Sequence, residues 1–325
     1  ARVEQVSKPG DYLTLDLFDQ PLMIVHGDDG VIRAMSSVCL HRAAPIAKGG
    51  GNRKLFTCPY HAWSYDAEGR LVRAPHMEGV TEFSEKKCRL PQIRTEIWQG
   101  FVMVNLDPDA GPFQPAISAF DTYFENFKLS EMQIVRTLEF DSNWNWKVLV
   151  ENFMEAYHHI ATHSQTLEPL FPAVKSVVPD NTGPWSILHM PAGTNEHMEG
   201  LPTIEGLEDW QANDLFAAVV FPCFLLAFQG GYATWYQVRP TGAGQLDLKI
   251  HILVPKSSMQ VDNFEDHANM LADVFTVIHT EDIAANDEVW RGLKAPMSGQ
   301  GRLSLLEKSI WQLNQWWLDQ MMTRP

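Results

Sequence analysis

The sequence predicts an α+β protein in two parts, a small antiparallel β domain over residues 1–110 and an antiparallel sheet covered by helices over residues 111–325. Three observations lead there. Across residues 12–104, short apolar runs alternate with turn-forming stretches at 27–30, 49–52 and 66–69, the pattern of short strands joined by tight loops. Residues 106–115 gather prolines, aspartates and glycine, which marks a linker and sets the boundary. Beyond it, 131–141 reads as a strand, 178–255 as strand-like runs between loops, and 146–163, 263–293 and 302–322 as helices. In the last of these Leu303, Leu306, Ile310, Leu313 and Trp317 recur at the spacing of one helix face.

Charge and composition narrow the function classes. With 25 basic against 40 acidic side chains the net charge is −15, which repels nucleic acid and anionic membranes; neither is an expected partner. The longest apolar run, 215–228, contains Pro222 and is too short to span a bilayer. Four cysteines make no disulfide framework in a chain of this length, and no signal or transit segment is evident, so a reducing compartment, the cytoplasm, is expected. Cys88 and Cys223 have no partner pattern and read as ordinary buried thiols.

Two constellations carry chemistry. The first is Cys39-Leu40-His41 with Cys58-Pro59-Tyr60-His61. Mixed thiolate and imidazole pairs are what a Rieske centre needs: one iron keeps two thiolates and the other takes two neutral imidazoles, which raises the potential. A structural zinc of the Cys2His2 kind uses the same ligand types. The second runs from Glu151 to His163 and holds Asn152, Glu155, His158, His159 and His163. Two histidines and a carboxylate on one face of a metal leave positions open for dioxygen and substrate. On an ideal helix His159 and His163, at i and i+4, make the natural pair, and His158 is misaligned. Glu155 has no Lys or Arg three or four residues away, so a plain helix salt bridge does not explain it.

Cys39-x-His41-Arg42 with Cys58-Pro59-Tyr60-His61-Ala62-Trp63 resembles the cluster motif of the Rieske non-haem iron aromatic-ring-hydroxylating oxygenases, α (catalytic) subunit, a motif shared with Rieske ferredoxins. The resemblance spans nearly the whole chain, through Glu155-x-x-His158-x4-His163 to Gly301-Arg302-Leu303-Ser304-x2-Glu307. It implies a Rieske domain followed by a helix-grip catalytic domain, with Cys39, His41, Cys58 and His61 binding a 2Fe-2S cluster. It selects His158 and His163 over His159 as ligands of a mononuclear Fe(II), and so implies a helix irregularity such as a π-bulge. The remaining ligand it implies is Asp282, in a segment that resembles the family's acidic helix but has Trp290 where relatives often have Gln. Glu281, Asp287 and Glu288 compete for that role, or all four form a solvated acidic face.

The resemblance further implies a homotrimer in which Glu155 bridges His158 and the adjacent subunit's His61, with Asn152 a nearby polar group. Dioxygen is then co-substrate. No GxGxxG segment is present, so NAD(P)H is expected to act only through a separate reductase or ferredoxin. An aromatic small molecule is the expected substrate, with a quaternary ammonium compound as alternative, since the carboxy-terminal segment resembles the choline and carnitine oxygenase branch. Trp185, Phe216, Phe221, Phe224, Phe228, Trp235 and Tyr236 are candidate pocket residues, each weighed against ordinary core packing. Outside the oxygenase class stand a Rieske electron carrier and a ligand-binding module with structural zinc.

Overall fold

The computed structural model describes residues 1–193 and 200–323, which divide into two compact units, Ala1–Gln114 and Pro115–Pro325.

The first unit is built from nine strands: β1 (Asp11–Leu17), β2 (Gln20–His26), β3 (Ile32–Ser36), β4 (Gly50–Asn52), β5 (Phe56–Thr57), β6 (Ser64–Tyr65), β7 (Leu71–Arg73), β8 (Gln92–Trp98) and β9 (Phe101–Asn105). They form a six-stranded sheet in the order β4-β1-β2-β3-β8-β9 and a three-stranded sheet β5-β6-β7. The β1–β2 hairpin closes through Phe18 and Asp19, both at positive φ (47° and 61°), and β8–β9 through Gln99 and Gly100 (48° and 78°). Two successive left-handed residues give a turn whose twist matches the flanking strands. Met23, Val25, Met35, Phe56, Tyr65 and Leu71 make one core, which also contains Cys39 and Cys58. Residues 50–52, expected within a turn, instead pair with β1 as an edge strand.

The second unit is a six-stranded antiparallel sheet. Its strands are β10 (Met132–Ser142), β11 (Trp185–Met190), β12 (Leu215–Val220), β13 (Phe224–Gln229), β14 (Tyr232–Gly242) and β15 (Gln245–Pro255), in the order β10-β15-β14-β13-β12-β11. The short helix α1 (Phe113–Ala116) straddles the boundary at Gln114, and the helices of the second unit are α2 (Ser118–Phe124), α3 (Trp146–Phe153), α4 (Asp209–Asn213), α5 (Phe264–Leu293) and α6 (Lys308–Thr323). The α5 helix packs Phe264, Ala268, Leu271 and Phe275 on Ile252 and Val254 of β15. In a second cluster, Val148, Leu149 and Val150 of α3 join Ile310 and Leu313 of α6 against Val219, Leu225, Tyr236 and Leu248. No described helix is long and apolar enough to cross a membrane.

Two helices differ from expectation. The one expected over 146–163 starts where Asn145 caps it, Oδ1 accepting the Lys147 amide at 3.0 Å, but stops at Phe153, and a separate 3-10 turn follows at Tyr157–Ile160. The irregularity is thus a helix end and a restart, in place of a π-bulge. The last helix begins at Lys308 because Ser304 and Glu307 form a capping box ahead of it, with Glu307 Oε2 accepting the Ser304 amide at 2.5 Å.

One buried polar group in this sheet has a measurable consequence. His251 of β15 is 4% exposed and hydrogen-bonded to Thr137 (2.9 Å) and Gln237 (3.1 Å), and burial pushes its pKa from 6.5 down to about 4. The unfolded chain binds this proton below pH 6.5 and the native one only near pH 4, so native stability is lost as pH falls through that window. In urea unfolding, His251→Gln is expected to lose less stability between pH 7 and pH 5 than the parent, by at most about 2 kcal/mol; equal losses would remove His251 as a cause.

Candidate metal centres

The cluster motif forms two loops of one design. Cys39 N donates to Ala44 O at 3.0 Å and Ala43 N to Cys39 O at 3.1 Å; Cys58 N donates to Trp63 O at 2.8 Å and Ala62 N to Cys58 O at 3.1 Å. In each, an alanine takes the left-handed conformation, Ala43 at φ 57° and Ala62 at φ 59°. This conformation costs an L-residue about 1–2 kcal/mol, which the loop hydrogen bonds offset. The result is that Cys39 and Cys58, each 3% exposed, end inside the core, while His41 and His61 stand at the surface with ring centroids 4.6 Å apart. His41 stacks on Trp63 at 4.9 Å. The Tyr65 hydroxyl receives the Leu40 amide at 2.9 Å and lies 3.3 Å from Cys39 Sγ, where its proton can be donated to sulfur, a contact that tunes potential.

Among the described residues, these four donors do not gather at single-ion spacing, as only His158, His163 and Asp282 bring three ligand atoms within 4.8 Å of one another. A tetrahedral zinc needs its donors closer than that. Buried thiols on one side and paired imidazoles on the other fit a two-iron cluster.

In the second unit the end of α3 sets the geometry. Met154 closes the helix, its carbonyl accepting the buried Ser309 hydroxyl of α6. The chain then turns, and Glu155 Oε2 accepts the His158 amide at 3.0 Å while Oε1 faces His158 Nδ1 at 2.7 Å. His163 Nε2 lies 3.0 Å from Asp282 Oδ1, and His158 Nε2 lies 3.5 Å from the same atom. Because α3 has already ended, the i and i+4 argument for His159 lapses. His159 turns away, its Nδ1 3.2 Å from Phe171 O, and burial lowers its pKa to about 4.

Burial opposes charge on all three grouped side chains, yet their hydrogen bonds prevail: His158 is pushed up to about 9 by Asp282 and Glu155, His163 is raised by Asp282, and Asp282 is held well below the carboxylate range by His158 and His163. A buried anion ringed by imidazoles fits a divalent cation, which takes the place of the protons. Two imidazoles and one carboxylate on one side are the facial set of non-haem iron. Of the competing acids, Glu281 contacts His163 Nδ1 at 2.7 Å, and Asp287 and Glu288 are exposed, Glu288 paired with Arg291.

A cavity of about 410 Å³ adjoins these residues, with Asn152, Glu155, His158, His163 and Asp282 in its wall. Of the candidate pocket aromatics, Phe216 and Tyr236 line it; Phe228 stacks on Phe124 (4.0 Å), Trp235 on His251 (4.7 Å), and Trp185, Phe221 and Phe224 pack elsewhere. Sequence reasoning missed Phe153, Phe171, Tyr232, Phe275 and His279. Period was the signal: Tyr232 and Tyr236 share a strand face, and Phe275, His279 and Asp282 share a helix face. Cys88 and Cys223, expected to be buried, are half-buried.

Comparison with known proteins agrees with a Rieske unit followed by an oxygenase catalytic unit. The model described as the Rieske [2Fe-2S] domain matches residues 1–84, and that of the ring hydroxylating alpha subunit (catalytic domain) matches residues 129–323. The chain is similar to chloroplastic choline monooxygenase of Spinacia oleracea, 24% identical over 322 residues that cover 96% of this chain and 70% of that protein. Among solved structures, a quaternary ammonium Rieske monooxygenase, described in connection with carnitine oxidation and inter-subunit electron transfer, superposes with TM-score 0.82 at 22% identity, covering 97% of this chain and 86% of that one. Naphthalene 1,2-dioxygenase from Rhodococcus sp. superposes with TM-score 0.81 at 19% identity, covering 100% and 89%. The chain therefore belongs to the ring hydroxylating alpha subunits, Rieske-type oxygenases whose cofactors are a 2Fe-2S cluster and a mononuclear iron.

Proposed function

We propose that this oxygenase oxidises a small quaternary ammonium compound that carries no carboxylate, drawing electrons from a separate reductase or ferredoxin. The observation that carries the reading is the charge of the cavity wall. Phe153, Phe171, Phe216, Tyr232, Tyr236 and Phe275 supply rings, Asp273 an exposed carboxylate, and none of the described lining residues is Lys or Arg. Aromatic faces attract an alkylammonium head through their quadrupoles. A substrate carboxylate, by contrast, would enter beside Asp273 and Asp282 with no Lys or Arg among the described lining residues to meet it. The relatives that act on choline and carnitine favour the ammonium alternative over the aromatic substrate expected from sequence. A neutral arene remains compatible with the same apolar wall, and an aromatic acid does not.

In this reading Cys39, His41, Cys58 and His61 hold the cluster, and His158, His163 and Asp282 hold the iron. Together the two bound groups supply electrons one at a time for the activation of dioxygen beside the substrate. Glu155 keeps a proton on His158 Nδ1, which leaves Nε2 free as the ligand atom. The apolar residues around the cavity exclude water from the reacting site.

A homotrimer supports the transfer between centres: exposed Tyr157 and Ile160 beside the iron residues, and exposed Leu40 and Tyr60 beside His41 and His61, are apolar surfaces that a second copy can cover. Glu155 would then meet the neighbour's His61.

Two outcomes are expected. His158→Ala, His163→Ala and Asp282→Ala should each leave the electron paramagnetic resonance of the reduced cluster intact and abolish product, and turnover in any one rejects that ligand. With a surrogate reductase, a trimethylammonium alcohol should stimulate dioxygen uptake at least about tenfold more effectively, in kcat/KM, than its carboxylate-bearing analogue. Equal or better use of the analogue contradicts the charge argument.

A further inference from the structure

Glu281 stands on the far side of His163 from Asp282. Its Oε2 is 2.7 Å from His163 Nδ1 and accepts the Thr166 hydroxyl at 2.7 Å, while His163 Nε2 is 3.0 Å from Asp282 Oδ1. The two nitrogens of one imidazole point away from each other, so Glu281 and Asp282 grip opposite edges of the same ring. A carboxylate at Nδ1 keeps a proton there and leaves Nε2, on the Asp282 side, as the atom available to a metal. The arrangement at His158 is the same, with Glu155 Oε1 at 2.7 Å from Nδ1 and Asp282 Oδ1 at 3.5 Å from Nε2. Each imidazole therefore has its own outer acid, and Asp282 lies between the two Nε2 atoms.

The two outer acids are anchored differently. Glu155 is tied back to the amide of His158, within its own turn. Glu281 comes from α5 and is held by Thr166, whose amide donates to His163 O at 3.1 Å. It thus ties the His163 loop to the helix that supplies Asp282, and because 281 and 282 are consecutive on that helix, one rigid element fixes both sides of the ring.

We propose that Glu281, supported by Thr166, is a positioning residue of the mononuclear iron site, setting the tautomer and ring plane of His163. The proposal rests on the reading of His163 as an iron ligand. Outer-shell partners of this kind change metal affinity by 10- to 100-fold when removed.

The test is Fe(II) titration, under anaerobic conditions, of the full chain with its cluster in place and its mononuclear site stripped. Glu281→Leu should bind about 10- to 100-fold more weakly than the parent. Glu281→Gln, whose amide oxygen still accepts the Nδ1 proton, should lose less, and Thr166→Val should lose severalfold. Melting temperature and cluster resonance should stay at parental values in all three. Parental affinity in both Glu281 variants overturns the proposal, as does weakening that follows a lowered melting temperature, since that is the mark of helix docking alone. If Glu281→Leu does not fold, parental affinity in Glu281→Gln together with Thr166→Val has the same force. His163→Ala separates the two readings: it should bind no Fe(II), and parental affinity there overturns the ligand assignment itself.

Discussion

The catalytic unit is organised around one buried anion. Asp282 has a side chain only 13% exposed, and its carboxylate needs a positive counterpart close by. His158 and His163 face it from a segment more than a hundred positions earlier in the chain. That convergence explains why α3 stops at Phe153: a continuous helix would hold His158 and His163 on different faces, and the break with its 3-10 restart brings both to Asp282. The hydroxyl of Ser309 on the carbonyl of Met154 stabilises the break, so α6 serves the site although it supplies no ligand.

The same logic places the cavity. Phe275 and His279 precede Asp282 on α5 at intervals of four and three, so the helix that delivers the carboxylate also forms one wall. Tyr232 and Tyr236 of β14 form another. Two consequences follow for the proposed substrate: it would meet rings and acids, and no Lys or Arg stands among the described lining residues. A chain with a net charge of −15 adds to this bias toward cations at long range.

How much of this the sequence disclosed depended on distance along the chain. The proposed cluster ligands were legible because each pair is local, and a Cys-x-His or Cys-x-x-His loop closes on its own backbone hydrogen bonds. The strands were legible from apolar runs set between turn residues and α6 from its period, and the order of the strands in the sheet was not, since pairing is a long-range property. His158 against His159 was beyond helix geometry, because the geometry assumed a helix that ends ten residues before His163, a distance set by Phe153. Asp282 was chosen among four acids by resemblance alone; only the fold separates it from Glu281, which holds the outer nitrogen of His163, and from the exposed Asp287 and Glu288. Most of the candidate pocket aromatics pack in the core, as weighed from the sequence: Trp235 and Phe228 lie on strands that line the cavity with their other face.

Under the proposed function, electrons pass from the cluster of one subunit to the iron of its neighbour through Glu155. A single-turnover measurement tests it most directly: protein with both metal centres loaded is reduced, freed of reductant, and mixed with dioxygen and a trimethylammonium alcohol. The parent should bleach the reduced-cluster signal as product forms, and Glu155→Gln should keep both metals yet leave the cluster reduced with no product. Normal coupled turnover in that variant would contradict the account.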